Sequence, residues 1–142
     1  MFRFICVLLL TGACVSAQSE DAVKKDLKLF QGSWKAISAQ GVDGKPLEPE
    51  ELKPITLVVD GDKFTLNTGS VTVQGTFSID PTKKLKTIDM FEKNSPEKVL
   101  MMGIYEIKGD TRKSCFTEPG KDRPDGFRKE KGFIILEWKQ DK

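Results

Sequence analysis

The sequence contains no histidine among its 142 residues. This absence excludes the Ser-His-Asp and Cys-His nucleophile pairs, and it excludes His-ligated zinc, copper and haem. An excess of charge of one sign is missing too, because 23 Lys+Arg stand against 21 Asp+Glu. A net charge of +2 is too small for a protein that binds nucleic acid through a basic stripe. We therefore expect no nucleic-acid partner.

The motifs of common cofactor and metal sites are also missing. The chain has no G-x-x-x-x-G-K, no C-x-x-C and no dinucleotide fingerprint. Asp60-Gly61-Asp62 lacks the further oxygen ligands and the downstream Glu of a calcium loop. We expect no cofactor and no metal, and no catalytic constellation of an enzyme is visible.

The first 17 residues have the organisation of a secretory signal peptide. Arg3 precedes the apolar run Phe4–Leu10, and Val15-Ser16-Ala17 supplies the small side chains that signal peptidase accepts. A core strand is the less favoured interpretation, because a polar, charged stretch follows directly. The sequence predicts an exported protein, periplasmic or extracellular, with residues 18–142 as a single mature domain. After cleavage no transmembrane segment is expected.

A lipoprotein signal is the competing interpretation of the same segment. Leu10-Thr11-Gly12-Ala13-Cys14 approaches a lipoprotein box, although Thr11 stands where leucine is usual. Acylation of Cys14 would tether the domain to a membrane surface. Cleavage after Ala17 instead removes Cys6 and Cys14 and leaves Cys115 alone, so the mature domain must be held by its core rather than by an intramolecular disulfide.

The rest of the chain alternates in a way that predicts strands after one short helix. A helix is expected from an N-cap at Ser19 to Phe30, and a further helical turn at Glu48–Leu52. Asp-Gly, Gly-Asp and Asp-Pro pairs separate the alternating segments and favour tight turns. Eight strands are predicted: Trp34–Gln40, Ile55–Asp60, Lys63–Asn67, Val71–Ile79, Lys86–Phe91, Val99–Ile107, Arg112–Thr117 and Phe133–Lys139.

This order predicts an all-β domain, an antiparallel up-and-down barrel of about eight strands. Eight strands enclose a space that side chains fill or one small ligand occupies. A two-sheet sandwich is the alternative that periodicity leaves open.

Several segments together resemble a family of small secreted domains from planctomycete bacteria. They occur in the family's order and cover the chain from about Leu27 to Lys139: Leu29–Lys35, Val42–Leu47, Asp80–Lys84, Lys86–Asp89, Gly103–Glu106, Gly109–Thr111, Cys115-Phe116 and Pro119–Pro124. That family is described as lipocalin-like and has no established activity. The resemblance therefore implies a fold and a secreted protein, and it supplies no catalytic residues.

Two details refine this resemblance. Gly32-Ser33-Trp34 is similar to the G-x-W element that opens the first strand of lipocalins, where the Trp closes one barrel end. The sequence departs from the family at Arg112 and Ser114, where apolar residues are more usual. This departure puts the usual barrel interior on that strand in doubt.

The candidate ligand-binding residues follow from the barrel hypothesis. They are the side chains that would line a barrel mouth: Trp34, Phe77, Met102, Tyr105, Arg112 and Phe116. For Trp34 a place in the core is the favoured interpretation. The apolar strand that contains Leu100–Tyr105 suits an adaptable pocket, but methionines fill irregular cores as readily.

Arg112 and Cys115 lie on opposite faces of one predicted strand. If the face of Phe116 points inward, Arg112 is a buried cation that needs a carboxylate or a ligand anion. A solvent-facing Arg112 beside the turn at Gly109-Asp110 is the favoured alternative, since a register slip of one residue exchanges the faces. For Cys115 a small buried side chain is favoured over a reactive thiol.

Three hypotheses of function remain. The first is a carrier that binds a small apolar or amphipathic ligand. The second is a protein interaction module of the cell envelope with a filled barrel, which would show exposed apolar side chains around Gln40–Pro54 or Glu118–Phe127. The third and least favoured is a hydrolase that uses two carboxylates, with candidate pairs at Glu50/Glu51, Asp60/Asp62 and Asp122/Asp125.

Overall fold

A computed structural model describes residues 14–141, with side chains from Ser19 onward except those of residues 95–97. The predicted signal sequence up to residue 13 lies outside the described residues. Two helices and eight strands follow one another: α1 Cys14–Phe30, β1 Gly32–Gln40, α2 Pro49–Leu52, β2 Thr56–Asp60, β3 Lys63–Asn67, β4 Thr72–Asp80, β5 Thr87–Glu92, β6 Ser95–Lys108, β7 Thr111–Thr117 and β8 Phe133–Gln140.

The strands form a closed antiparallel barrel in chain order. Each strand pairs with the next, and β8 pairs back with β1. The prediction of an all-β up-and-down barrel is thereby confirmed, and the sandwich alternative is wrong. Two hairpins show how the sequence selects this order. Gly61 and Gly109 are the first residues of two-residue turns and have φ of 63° and 59°. A type II′ hairpin requires this left-handed backbone at its first turn residue.

Two predicted boundaries are corrected by the structure. Helix α1 already runs from Cys14, so Ser19 lies within the helix and is not its N-cap. Strand β6 begins at Ser95 rather than at Val99. Register shifts around Phe91 on β5 absorb the unequal lengths of the two paired strands, which alternation alone does not predict. At the predicted turn before β2, Glu48 and Glu51 form a capping box for α2.

One end of the barrel, which we call the helix end, is closed by the C-terminal part of α1. Phe30 packs there against Phe77 and Tyr105, with ring centroids 5.4 and 5.0 Å apart. The indole N–H of Trp34 donates to the backbone carbonyl of Phe30 at 2.8 Å. Gln31 exchanges two hydrogen bonds with the backbone of Gly61 in the β2–β3 turn. These contacts fix the helix over the barrel end.

A second, smaller core lies outside the barrel. Ile104, Cys115 and Ile135 are buried there on the outer face of β6–β8, against Phe127 and Phe133. The segment 118–132, which precedes β8, covers this face. Arg123 of the segment donates to the backbone carbonyl of Gly103 at 2.9 Å. Apolar side chains are therefore buried on both faces of these strands.

The described residues contain no helix long and apolar enough to cross a membrane.

Candidate ligand site inside the barrel

The barrel encloses a cavity of about 300 Å³. Its wall is built from the inward side chains of seven strands and from Phe30 of α1. Most of these side chains are aliphatic or aromatic: Phe30, Ile55, Leu57, Val59, Phe64, Leu66, Val73, Phe77, Ile88, Met90, Leu100, Met101, Phe116, Ile134, Leu136 and Trp138. Four residues of the wall carry polar groups, namely Thr68, Tyr105, Arg112 and Ser114. A cavity of this size and chemistry is typical of a site for a small apolar molecule.

Four of the six candidate residues line this cavity. Phe77, Tyr105, Arg112 and Phe116 contribute to its wall. Trp34 does not line it, although its side chain is only 1% exposed. The Trp34 ring packs instead beneath the last turn of α1, where it belongs to the core at the helix end.

Met102 is the second candidate that lies away from the cavity. The neighbouring residues Leu100 and Met101 line the wall instead. Strand β6 is apolar on both faces because Ile104 belongs to the outer core. Met101 lies four residues before Tyr105 and shares its inward face, whereas Met102 falls on the face of Ile104, so alternation counted from Tyr105 indicates Met101.

Arg112 is the most unusual group of the wall. Its side chain is buried, with 6% exposure, so the favoured interpretation of a solvent-facing arginine is wrong. The register of β7 sets this orientation, since Arg112, Ser114 and Phe116 share the inward face. The guanidinium carbon lies 4.5 Å from the ring centroid of Phe30 and 5.1 Å from that of Trp34.

No described carboxylate forms an ion pair with Arg112, and its buried Nε has no hydrogen-bond partner. The two aromatic rings attract the charge but offer no conventional acceptor for its N–H groups. Burial lowers the pKa of Arg112 to about 9, so the side chain remains a cation at neutral pH. A buried cation without a hydrogen-bonded anion is costly, and its position on the cavity wall makes it available to a ligand.

Asp26, a second buried charge at the helix end, is paired with its neighbours. Asp26 of α1 is 5% exposed, and its Oδ2 accepts hydrogen bonds from Tyr105 Oη at 2.8 Å and from Lys86 Nζ at 2.9 Å. Burial, and then the hydrogen bond to Asp26, raise the pKa of Tyr105 far above its usual value. The Tyr105 hydroxyl is therefore a proton donor already committed to Asp26.

Sequence reasoning missed Asp26 and Lys86. Asp26 was one of several charged residues on a predicted helix, and Lys86 stood at the edge of a predicted strand. The hydrogen bonds that join them to each other and to Tyr105 link residues 60 and 79 positions apart. No local pattern in the sequence signals such contacts.

The three candidate carboxylate pairs lie apart from the cavity. All six side chains are exposed, in turns, loops, helix α2 or, for Asp60, at the end of strand β2. The pKa of Asp125 is lowered by its hydrogen bond and ion pair with Arg128, which is the opposite of what a general acid needs. The described residues also contain no cluster of three metal-ligating side chains.

The loops expected to expose an apolar patch do not show one. Among the described residues, the exposed large apolar side chains lie outside both Gln40–Pro54 and Glu118–Phe127: Leu29, Ile37, Val58, Val71, Leu85 and Val99. These loops therefore lack the feature expected of an interaction module.

Comparison with family models, with curated proteins and with solved structures finds no match to this chain. The barrel and its cavity are therefore the features from which a function is inferred.

Proposed function

We propose that the barrel binds one small apolar or amphipathic molecule in its cavity. The observation that carries this proposal is a space of about 300 Å³ inside the barrel whose wall is almost wholly apolar. Tightly packed interiors leave few voids larger than a water molecule, and this cavity holds the liquid volume of about ten waters. An apolar space of that size gains free energy when a ligand fills it.

A pair of neighbouring valines provides a direct test. Val59 lines the cavity and is 4% exposed, whereas Val58 faces outward and is 46% exposed. The small neutral fluorophore 1-aminoanthracene is titrated into wild type, Val59→Phe and Val58→Phe. We expect wild type and Val58→Phe to bind one equivalent, and Val59→Phe to bind at least about tenfold more weakly because its ring occupies the space. Absence of dye binding in wild type, or equal binding by all three proteins, would contradict the proposal.

We further propose that the domain works outside the cytoplasm, as the organisation of its first 17 residues indicates. The intact mass of the protein purified from its own source tests this point. A chain that begins at Gln18 supports cleavage by signal peptidase, and a diacylglyceryl increment on Cys14 supports a membrane tether. A chain that retains Met1 in the mature protein would contradict export by either route. Relationship to the planctomycete secreted domains stays a prediction from the sequence.

A further inference from the structure

The cavity wall carries one cation that has no ion-pair or hydrogen-bond partner among the described residues. Of the polar groups on its wall, Tyr105 donates to Asp26 and Thr68 donates to the carbonyl of Val71. Asp26 is in turn paired with Lys86. The Arg112 guanidinium has neither a carboxylate nor a hydrogen-bond acceptor among the described residues. A ligand that enters the cavity therefore meets a single unbalanced positive charge.

The position of Arg112 gives the cavity two chemically different ends. Its guanidinium lies at the helix end beside Phe30, with Ser114 two residues further along the same inward face of β7. Beyond Ser114 the wall continues to the other end through aliphatic side chains that include Leu66, Leu100 and Ile134. A molecule with a polar anionic head and an apolar tail matches this arrangement, whereas a uniformly apolar molecule leaves the cation unpaired.

We infer that the ligand is an amphipathic monoanion whose carboxylate pairs with Arg112 and whose hydrocarbon tail lies along the apolar wall. This inference deepens the proposed function and rests on it. The planar guanidinium fork binds a carboxylate through two parallel hydrogen bonds, and the Ser114 hydroxyl offers a further donor on the same face. A carboxylate is favoured over a phosphate monoester because one negative charge balances one cation, whereas two would leave a buried charge without a partner.

The size of the cavity limits the length of the tail. A volume of about 300 Å³ holds on the order of ten non-hydrogen atoms at the density of a liquid. The carboxylates that fit have chains of about eight to ten carbons. We expect hexadecanoate to bind more weakly than decanoate, since its tail exceeds the volume inside the barrel.

A matched pair of ligands tests the inference on the wild-type protein. Decanoate and decanol differ in the head group and share the tail, and calorimetric titration measures both affinities at neutral pH. We expect decanoate to bind at least about tenfold more tightly, because hydrogen bonds to a charged partner are stronger than neutral ones. Acetate, which is a head group without a tail, is expected not to bind measurably.

Variants test whether Arg112 is responsible for the preference for decanoate over decanol. Arg112→Met is expected to lose at least about tenfold in decanoate affinity and to keep its decanol affinity. Arg128→Met, which removes an exposed arginine (47% exposed), is expected to bind both ligands like wild type. Arg112→Lys is expected to fall between wild type and Arg112→Met, because an ammonium keeps the charge but lacks the fork.

The outcomes separate this inference from the proposed function. If decanol binds wild type as tightly as decanoate, the inference is overturned and the proposed function is unaffected. If Arg112→Met loses affinity for both ligands equally, Arg112 serves the packing of the helix end, and the inference is also overturned. Neither ligand binding to wild type overturns both proposals. If Arg112→Met does not fold, the comparison of the two ligands on wild type decides the question alone.

Discussion

The hydroxyl of Tyr105 donates to the carboxylate of Asp26 at 2.8 Å across 79 residues of sequence. This bond joins helix α1 to strand β6. Lys86, which directly precedes β5, donates a second hydrogen bond to the same carboxylate. The bond between Tyr105 and Asp26 has two consequences for the cavity. It holds the helix end closed, and it removes the Tyr105 hydroxyl from the groups that a ligand can use.

Loss of this hydroxyl is expected to destabilise the fold. Tyr105→Phe leaves one hydrogen-bond position of the buried Asp26 empty, so the free energy of unfolding should fall by about 1–3 kcal/mol. Urea denaturation followed by tryptophan fluorescence measures it. Thr72→Val removes an exposed hydroxyl and is expected to change the free energy by less than about 0.5 kcal/mol. Equal stability of Tyr105→Phe and wild type would show that the bond to Asp26 contributes nothing.

The ionisation of Tyr105 is directly observable, because it is the chain's only tyrosine. Its pKa is raised in the folded state by burial and by the neighbouring carboxylate of Asp26, so the folded protein holds a proton that the unfolded chain releases near pH 10. Stability from this group is therefore present below pH 10 and is lost as the pH rises above it. We expect the phenolate absorbance at 295 nm to appear only together with unfolding. Titration of a still-folded protein with a midpoint near pH 10 would refute this assignment.

Gly103 is expected to be required for the shape of the cavity wall. A Cβ atom at this position would lie 2.5 Å from Phe116 Cδ1 and 2.6 Å from the carbonyl oxygen of Cys115. Gly103→Ala should therefore cost about 1–3 kcal/mol of stability, because the Phe116 ring and the backbone of β7 must move. Gly126→Ala is the matched control, since a Cβ there meets nothing within 4 Å. Thermal melting of both variants tests the difference, and a Gly103→Ala protein as stable as the control would contradict the packing described.

Cys115 is expected to be inert in the folded protein. Its side chain is 0% exposed in the outer core, and burial raises the pKa of its thiol, so little reactive thiolate is available. Iodoacetamide labelling followed by peptide mass analysis reports on this cysteine separately from the others. We expect labelling of Cys115 in urea and almost none in buffer. Comparable rates in both conditions would mean that segment 118–132 does not cover this face.

The sequence was sufficient to predict the strands and their antiparallel order, because the local signals agreed, whereas periodicity left the choice between a barrel and a sandwich open. Alternation in β4 and glycine at the tight turns favoured the same antiparallel order. All strand boundaries except the start of β6 were predicted to within two residues. That start was missed because a bulge changes the pairing of β5 and β6 without a clear compositional signal.

The site was only partly predictable, for reasons that differ between residues. Phe77 alternates with polar neighbours, so its inward direction follows from the pattern, whereas the direction of Phe116 depends on the same register as that of Arg112. The prediction of Met102 is wrong because Met102 lies three residues from Tyr105, and residues an odd number of positions apart lie on opposite faces of a regular strand. The orientation of Arg112 depends on a register that one residue of slip reverses, and it became certain only with the closed pairing of β7 and β8.

Native mass spectrometry of the protein purified from its own source shows whether the barrel carries a ligand. We expect one small molecule per chain, with an excess mass that disappears on denaturation and that identifies an acid with a chain of about eight to ten carbons. Protein that is purified without a bound ligand is incubated with decanoate and measured again. We then expect a complex of one decanoate per chain. A mass equal to the chain alone in both experiments would contradict a ligand-binding barrel.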